Sequence, residues 1–292
     1  MNNASAKETD LTSWIGRNES RTDVIDLRQA HLMQATMGQS ASLQEDDVLP
    51  PLWHWIYFLE GKPFDELGSD GHPKLGGFMP PVPLPRRMWA GSEVIFHQPI
   101  CLGDRLTKTS TIENIVEKDG KSGALCFVTV RHELAGSDNE AKLTDRHTIV
   151  YREPPVRDVA QPMPQTSDEP NKPAKTGKRI TPSTVTLFRY SALTFNGHRI
   201  HYDREYCRDV EGYPDLVFHG PLTATLLAAE AQLAAGDRSM KEFSFRALSP
   251  LFDTHPFYVS CEQVPNTRGT FSAIAVNHLG EEAMKASATF DR

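Results

Sequence analysis

Between positions 196 and 203 the sequence reads NGHRIHYD, an amide, two imidazoles, a guanidinium and a carboxylate in close succession. His201 is the natural proton-transfer group, because an imidazole with an ordinary pKa near 6.5 takes and returns a proton close to neutral pH. Asn196 cannot ionise, but its amide can hold a water molecule by accepting one hydrogen bond and donating another. Seventeen residues later the run FHGPLTATLL opens a helix at Gly220-Pro221. A first-turn amide has no intrahelical acceptor, and Gly220 has no side chain to keep a ligand oxygen from its N–H, whereas Pro221 has no N–H to offer. The plainer readings stay beside these: a polar turn for 196–203, a structural or rim histidine for His198 and a simple helix entry for Gly220.

Composition narrows the classes. A chain of 292 residues with 39% hydrophobic content can bury one large core or two ordinary ones. Its net charge is −7 and its basic residues are scattered, which argues against nucleic acid and against an anionic membrane as partner. Cys101, Cys126, Cys207 and Cys261 have neither CxxC spacing nor disulfide density, so no metal site is expected and the thiols point to a reducing compartment. No apolar run approaches the roughly 20 residues of a membrane span. The opening MNNASAKETDLTSW lacks a charged-then-apolar signal pattern and the Arg-rich look of a transit peptide, so a cytoplasmic location is expected.

The elements that must hold these residues come in two sets. Glu153 to Arg179 carries many prolines and almost no large apolar side chains, and reads as a linker over 153–179 between halves 1–152 and 180–292. The halves rhyme: short segments rich in Val, Ile, Phe and Thr, partly alternating and separated by Gly, Asp and Asn, mark an antiparallel meander in each. Pro99-Ile100 and Pro250-Leu251 fall at matching places, 250 − 99 = 151 residues apart. Each meander follows a helix candidate, LPPLWHWIYFLEG in the first half and GPLTATLLAAEAQLAAG in the second. The second is apolar almost all round, with Pro221 at its start and Gly236 as its stop. Such a helix must be wrapped by protein, which predicts an α+β double hot-dog: two antiparallel sheets side by side, each wrapped around a central helix.

The segment YSALTFNGHRIHYDREYCRDVEGYPDLVFHGPLTATLL resembles the active-site region of the MaoC-like, R-specific enoyl-CoA hydratases and the mitochondrial-type hydroxyacyl-thioester dehydratases. In the family pattern S/T-G-D-x-N-P-L/I-H, an aspartate and a histidine are catalytic. The resemblance places Asn196 at the aspartate, His198 at the asparagine and His201 at the histidine. GGFMPPVPLPRRMWAGSEVIFHQPICLGD resembles the N-terminal, catalytically degenerate hot-dog of two-hot-dog members, including hydratases of mesaconyl- and itaconyl-CoA. The resemblance implies reversible hydration of a 2-enoyl-CoA, with His201, Asn196 and Gly220 catalytic, an acyl-CoA thioester as partner and no cofactor. A short branched dicarboxylic acyl group is the leading substrate, and a homo-oligomer is left open.

With aspartate replaced by Asn196, His201 is expected to be the sole titrating catalyst. Arg189, Arg199, His198 and His219 are the substrate-binding expectations, since a dicarboxylate or a CoA phosphate needs a cationic or hydrogen-bonding partner. Asp203 reads as an N-cap for REYCRDV. Gly61 to Trp89, a Gly/Pro-rich insertion absent from the second half, reads as a lid carrying Arg86, Arg87 and Trp89. The alternatives are a 3-hydroxyacyl-acyl-carrier-protein dehydratase, and a thioester-binding module or thioesterase on the same fold. Against hydrolysis, the first acid of the second-half helix is Glu230, three turns in.

Overall fold

The computed structural model describes residues 10–120, 123–153 and 177–291. Most of the 153–179 linker therefore lies outside the described residues. The first half contains β1 (Asn18–Val24), α1 (Leu27–Thr36), a 3₁₀ turn (Trp53–Ile56), and the long strands β2 (Arg86–Phe96), β3 (Arg105–Gly120), β4 (Gly123–Ala135) and β5 (Ala141–Arg152). The second contains β6 (Lys178–Ile180), α2 (Thr184–Leu193), α3 (Arg204–Tyr206), α4 (Gly220–Ala235), β7 (Met240–Ala247), β8 (Phe257–Gln263), β9 (Thr270–Val276) and β10 (Glu282–Phe290).

The second half matches its expectation closely. Pro221 lies in the first turn of α4 and Gly236, at φ 71°, ends it. Leu222, Ala224, Leu227, Ala228 and Ala231 are at most 1% exposed, so burial runs around the helix instead of along one stripe. The helix packs on β8, β9 and β10. Each buried leucine contributes roughly 1.5–3 kcal/mol. The mostly apolar composition of this helix and its enclosure by the sheet are two views of one fact.

The first half differs in its helix. The 49–61 segment forms only the 3₁₀ turn Trp53–Ile56, entered through Leu52 at φ 69° and followed by extended Tyr57 and by Phe58 at φ 57°. Pro50 and Pro51 hold the entry in a non-helical form, and both positive-φ residues stop propagation. The α-helix of this half is α1, capped by Asp26, whose carboxylate accepts from Gln29 N at 3.1 Å. Even so, the repeat is visible in backbone pairing. Leu49 N donates to Ile100 O at 2.8 Å, and Phe218 N to Leu251 O at 2.7 Å. The bridges Val48–Cys101 and Val217–Phe252 preserve the spacing, 252 − 101 = 151. The Trp53 turn thus stands where α4 begins in the second half.

The two sheets are also not separate. β2 pairs antiparallel with β7 from Gly91–Arg246 to Ile95–Glu242, giving one ten-stranded sheet in the order β1-β3-β4-β5-β2-β7-β10-β9-β8-β6. Gly91 is required at this seam, because a Cβ there would lie 2.4 Å from Phe245 O. A bulge between Trp89 and Gly91 turns β2 so that Arg87 and Trp89 face the same side as Ser92 and Val94, opposite Tyr151, Ile149, His147 and Asp145 of β5. That face looks toward the loop 194–203.

Candidate active site

A cavity of about 390 Å³ opens between the halves. Asn196, His198, His201 and Gly220 line it from the second half, and Asp70, His72, Arg87, Trp89 and His147 from the first. The loop that carries His201 leaves α2 after Leu193. Ser183 caps that helix by accepting from Thr186 N at 3.1 Å. Asn196 N then returns to Ser191 O at 2.8 Å, and Asn196 Oδ1 accepts from His198 N at 3.0 Å, an Asx-type turn. The Asn196 NH₂ group remains as the donor for the cavity. Downstream, Asp203 caps α3 by accepting from Tyr206 N at 2.9 Å. Asp203 also holds Arg199 through two bonds of 3.0 and 2.7 Å.

His201 is buried, and its Nδ1 lies 2.8 Å from the carbonyl of Val217. A carbonyl only accepts, so Nδ1 carries the proton and Nε2 holds the lone pair. Burial takes the His201 pKa down to about 4, with the Val217 hydrogen bond opposing. The ring is therefore a neutral base at physiological pH. Burial first, then neighbouring His201, takes His198 down to about 3. Gly220 begins α4 at the cavity wall, and a Cβ built on it would meet nothing within 4 Å. Its first-turn amide, at the positive end of the helix dipole, is available to a thioester carbonyl in that open space.

The other expected binding residues have different places. Arg189 is exposed on the outside of α2, because the helical period turns Leu187 and Tyr190 inward, and it donates to Ala35 O at 3.3 Å. Arg199 is engaged by Asp203 and by Ser69 O at 3.1 Å, and lies over the Tyr206 ring. His219 is fully buried behind His201, its Nε2 donating to Leu187 O at 3.1 Å. Burial and nearby His201 hold it well below the usual imidazole range.

The insertion expected as a lid docks onto the 194–203 loop. Arg199 N donates to Asp70 O at 2.9 Å, and a Cβ at Gly71 would lie 2.0 Å from Gly197 O. This contact brings in Asp70 and His72, which sequence reasoning missed. His72 Nδ1 lies 2.9 Å from Asp70 Oδ2, and its ring is 4.1 Å from that of His198. The ligand atoms of Asp70, His72 and His198 lie within 4.8 Å of one another, and Asp70 and His72 are hydrogen-bonded as a dyad.

Arg86 pairs with Glu211 at 3.2 Å, but Arg87 has no carboxylate partner among the described residues. On the far wall, Asp145 is buried and accepts from His54 at 3.0 Å, Trp55 at 2.7 Å, His147 at 2.7 Å and Ser92. Burial alone would raise its pKa, but the His147 and His54 interactions hold it well below the usual carboxylate range. Trp89 packs against His147 with ring centroids 4.1 Å apart and planes tilted by 37°.

Residues 52–253 match the family model described as hydroxyacyl-thioester dehydratase type 2. The chain belongs to the hydroxyacyl-thioester dehydratase type 2 family. A hydroxyacyl-thioester dehydratase is a hydro-lyase, and this chain is an enzyme of that class. It is 45% identical over 251 residues to the mesaconyl-C4-CoA hydratase of Chloroflexus aurantiacus, covering 85% of this chain and 87% of the relative. Among solved structures, the MaoC-like dehydratase of Phytophthora capsici is similar over 95% of this chain and 96% of its own, with a TM-score of 0.70 at 14% identity. A Mycobacterium tuberculosis protein described as a double hotdog fold is similar over 94% and 96%, with a TM-score of 0.58 at 11% identity. The architecture is thus the double hot-dog that the meanders predict.

Proposed function

We propose that this enzyme interconverts a short, branched, dicarboxylic 2-enoyl-CoA of the mesaconyl-C4-CoA or itaconyl-CoA type with its 3-hydroxyacyl-CoA, in the cytoplasm. The observation that carries the chemistry is the convergence of His201 and Gly220 on one cavity. With the thioester oxygen on Gly220 N–H, the β-carbon lies toward the loop that presents Asn196 and His201. The Asn196 amide donates to the attacking water, and Nε2 of His201 takes its proton. Negative charge then developing on the thioester oxygen is met by the α4 amide and dipole.

Arg87 supports the acyl group. It lines the cavity with a cationic side chain that no carboxylate of the described residues neutralises. A free carboxylate on the acyl group would complete it with a charge-assisted, bidentate pair. The C. aurantiacus relative is named for such an acyl group. Against thioester hydrolysis, Glu230 pairs with Lys178 at 3.2 Å and does not line the cavity. For the location, Cys101, Cys126, Cys207 and Cys261 are all free thiols, as a reducing compartment requires. Among the described residues no helix is long and apolar enough to cross a membrane.

Specificity is tested by comparing kcat/KM for mesaconyl-C4-CoA, itaconyl-CoA, crotonyl-CoA and a medium-chain enoyl-CoA, and for the same acyl groups on carrier protein. The dicarboxylic CoA thioesters are expected to lead by at least tenfold. A lead by crotonyl or medium-chain substrates would overturn the acyl assignment, and a lead by carrier-bound substrates the CoA assignment.

A further inference from the structure

Hydration of a conjugated thioester moves two protons, one off water and one onto the α-carbon. Asn196 supplies neither, which leaves His201 with both transfers unless the cavity holds another titrating group. Several groups are already engaged. Glu211 is paired with Arg86, and His147 donates to buried Asp145 on the far wall. His198 is too weak a base to carry a proton near neutral pH, because burial holds it at about 3.

His72 is different. Its Nδ1 is tied to Asp70 at 2.9 Å, and Asp70 Oδ1 also accepts from His72 N at 3.0 Å. One carboxylate thereby fixes the ring and its tautomer, while Nε2 is left for the cavity that the side chain lines. The dyad is held to the catalytic loop by Arg199 N on Asp70 O and by the Gly71–Gly197 approach, where neither backbone leaves room for a side chain. The His72 ring is 4.1 Å from His198, whose ring is 5.6 Å from His201. An imidazole oriented by a carboxylate, docked two rings from the base, is the arrangement of a general acid.

We propose that His72, oriented by Asp70, is a second catalytic proton-transfer residue, supplied by the first half to the site of the second. The inference rests on the hydration chemistry proposed above. In the forward direction a water lone pair forms the bond to the β-carbon as the water proton passes to Nε2 of His201. The electron pair of the carbon–carbon double bond moves toward the thioester carbonyl, giving an enolate held by Gly220 N–H. That enolate takes the proton from Nε2 of cationic His72 at the α-carbon. His201 then returns the water-derived proton to solvent and His72 recovers one, so one water is added and both residues are reset. The groups facing the dyad are His198 and Arg199 of the catalytic loop, Arg87 of β2, and Tyr151 and Tyr206, whose hydroxyls sense the Asp70 charge.

The test is the pH profile of kcat for full-length wild type, His72→Ala, His72→Asn and Asp70→Asn with mesaconyl-C4-CoA, with circular dichroism checking the fold. His72→Asn keeps a donor for Asp70 but cannot carry a proton. Both His72 variants are expected to lose about 10²- to 10³-fold in kcat, to lose the alkaline limb that deprotonation of His72 imposes, and to recover in part with added imidazole. Asp70→Asn, which removes the charge favouring cationic His72, should move that limb to lower pH. An active wild type with His72→Asn within threefold of its kcat would overturn the inference. So would a fall in kcat with an unchanged pH profile and no imidazole rescue, because the loop would then act only as a structural support. An inactive wild type would instead refute the functional reading beneath it.

Discussion

The ring of His201 lies flat on that of His219, with centroids 3.6 Å apart and planes 24° from parallel. Two imidazoles stacked this closely cannot both be charged, and each is held neutral chiefly by burial. In the proposed mechanism His201 acts as a neutral base, so activity is lost as pH falls through its folded pKa. The acid limb of kcat/KM should therefore have its midpoint near about 4, well below the ordinary 6.5. A midpoint at 6.5 would show that His201 is solvated in the working enzyme.

The same burial sets a stability trend. Unfolded His201 binds a proton near 6.5 but the folded residue only near about 4, so the unfolded state holds more protons between those values. Its contribution to stability is complete above pH 6.5 and is lost as pH falls toward 4. Chemical denaturation of wild type and His201→Leu should show a shallower loss over this window in the variant.

Gly71 and Gly212 form a matched pair for the docked loop. Both have positive φ, 87° and 71°, but a Cβ at Gly71 would strike Gly197 O whereas one at Gly212 meets nothing within 4 Å. Gly212→Ala should cost about 1 kcal/mol for the left-handed backbone alone. Gly71→Ala should cost more than about 2 kcal/mol, or release the loop and lower activity with it. Thermal unfolding and initial rates measured together distinguish these outcomes.

Arg87→Ala should act on substrate choice. Losing a charge-assisted bond of about 1.5–3 kcal/mol corresponds to roughly 10- to 150-fold in kcat/KM for a dicarboxylic acyl-CoA. Crotonyl-CoA should change by less than threefold. Equal losses on both substrates would place Arg87 on the CoA moiety instead.

The sequence was most legible where one short segment makes its own structure. The Asn196–Asp203 loop is organised by its own Asx turn and by Asp203, and α4 declares its burial through its composition. The first half was harder to read. Its aromatic run 53–58 is as apolar as a central helix, yet Leu52 and Phe58 at positive φ confine it to one turn. The Asp70–His72 dyad gave no local sign of function, since it acquires one only by docking on residues more than a hundred positions away. Arg189 and Arg199 lie near the motif in sequence, but helix phase and the Asp203 bond direct them elsewhere. Arg87 reaches the cavity because a bulge turns β2, a feature that alternation alone does not reveal.

Hydration of mesaconyl-C4-CoA, followed by loss of the conjugated-thioester absorbance with wild type and His201→Ala, tests the central claim most directly. The account predicts that wild type bleaches the band, and that the folded variant does so about 10²- to 10⁴-fold more slowly. A folded wild type that leaves the band unchanged, or a His201→Ala enzyme as fast as wild type, would contradict it.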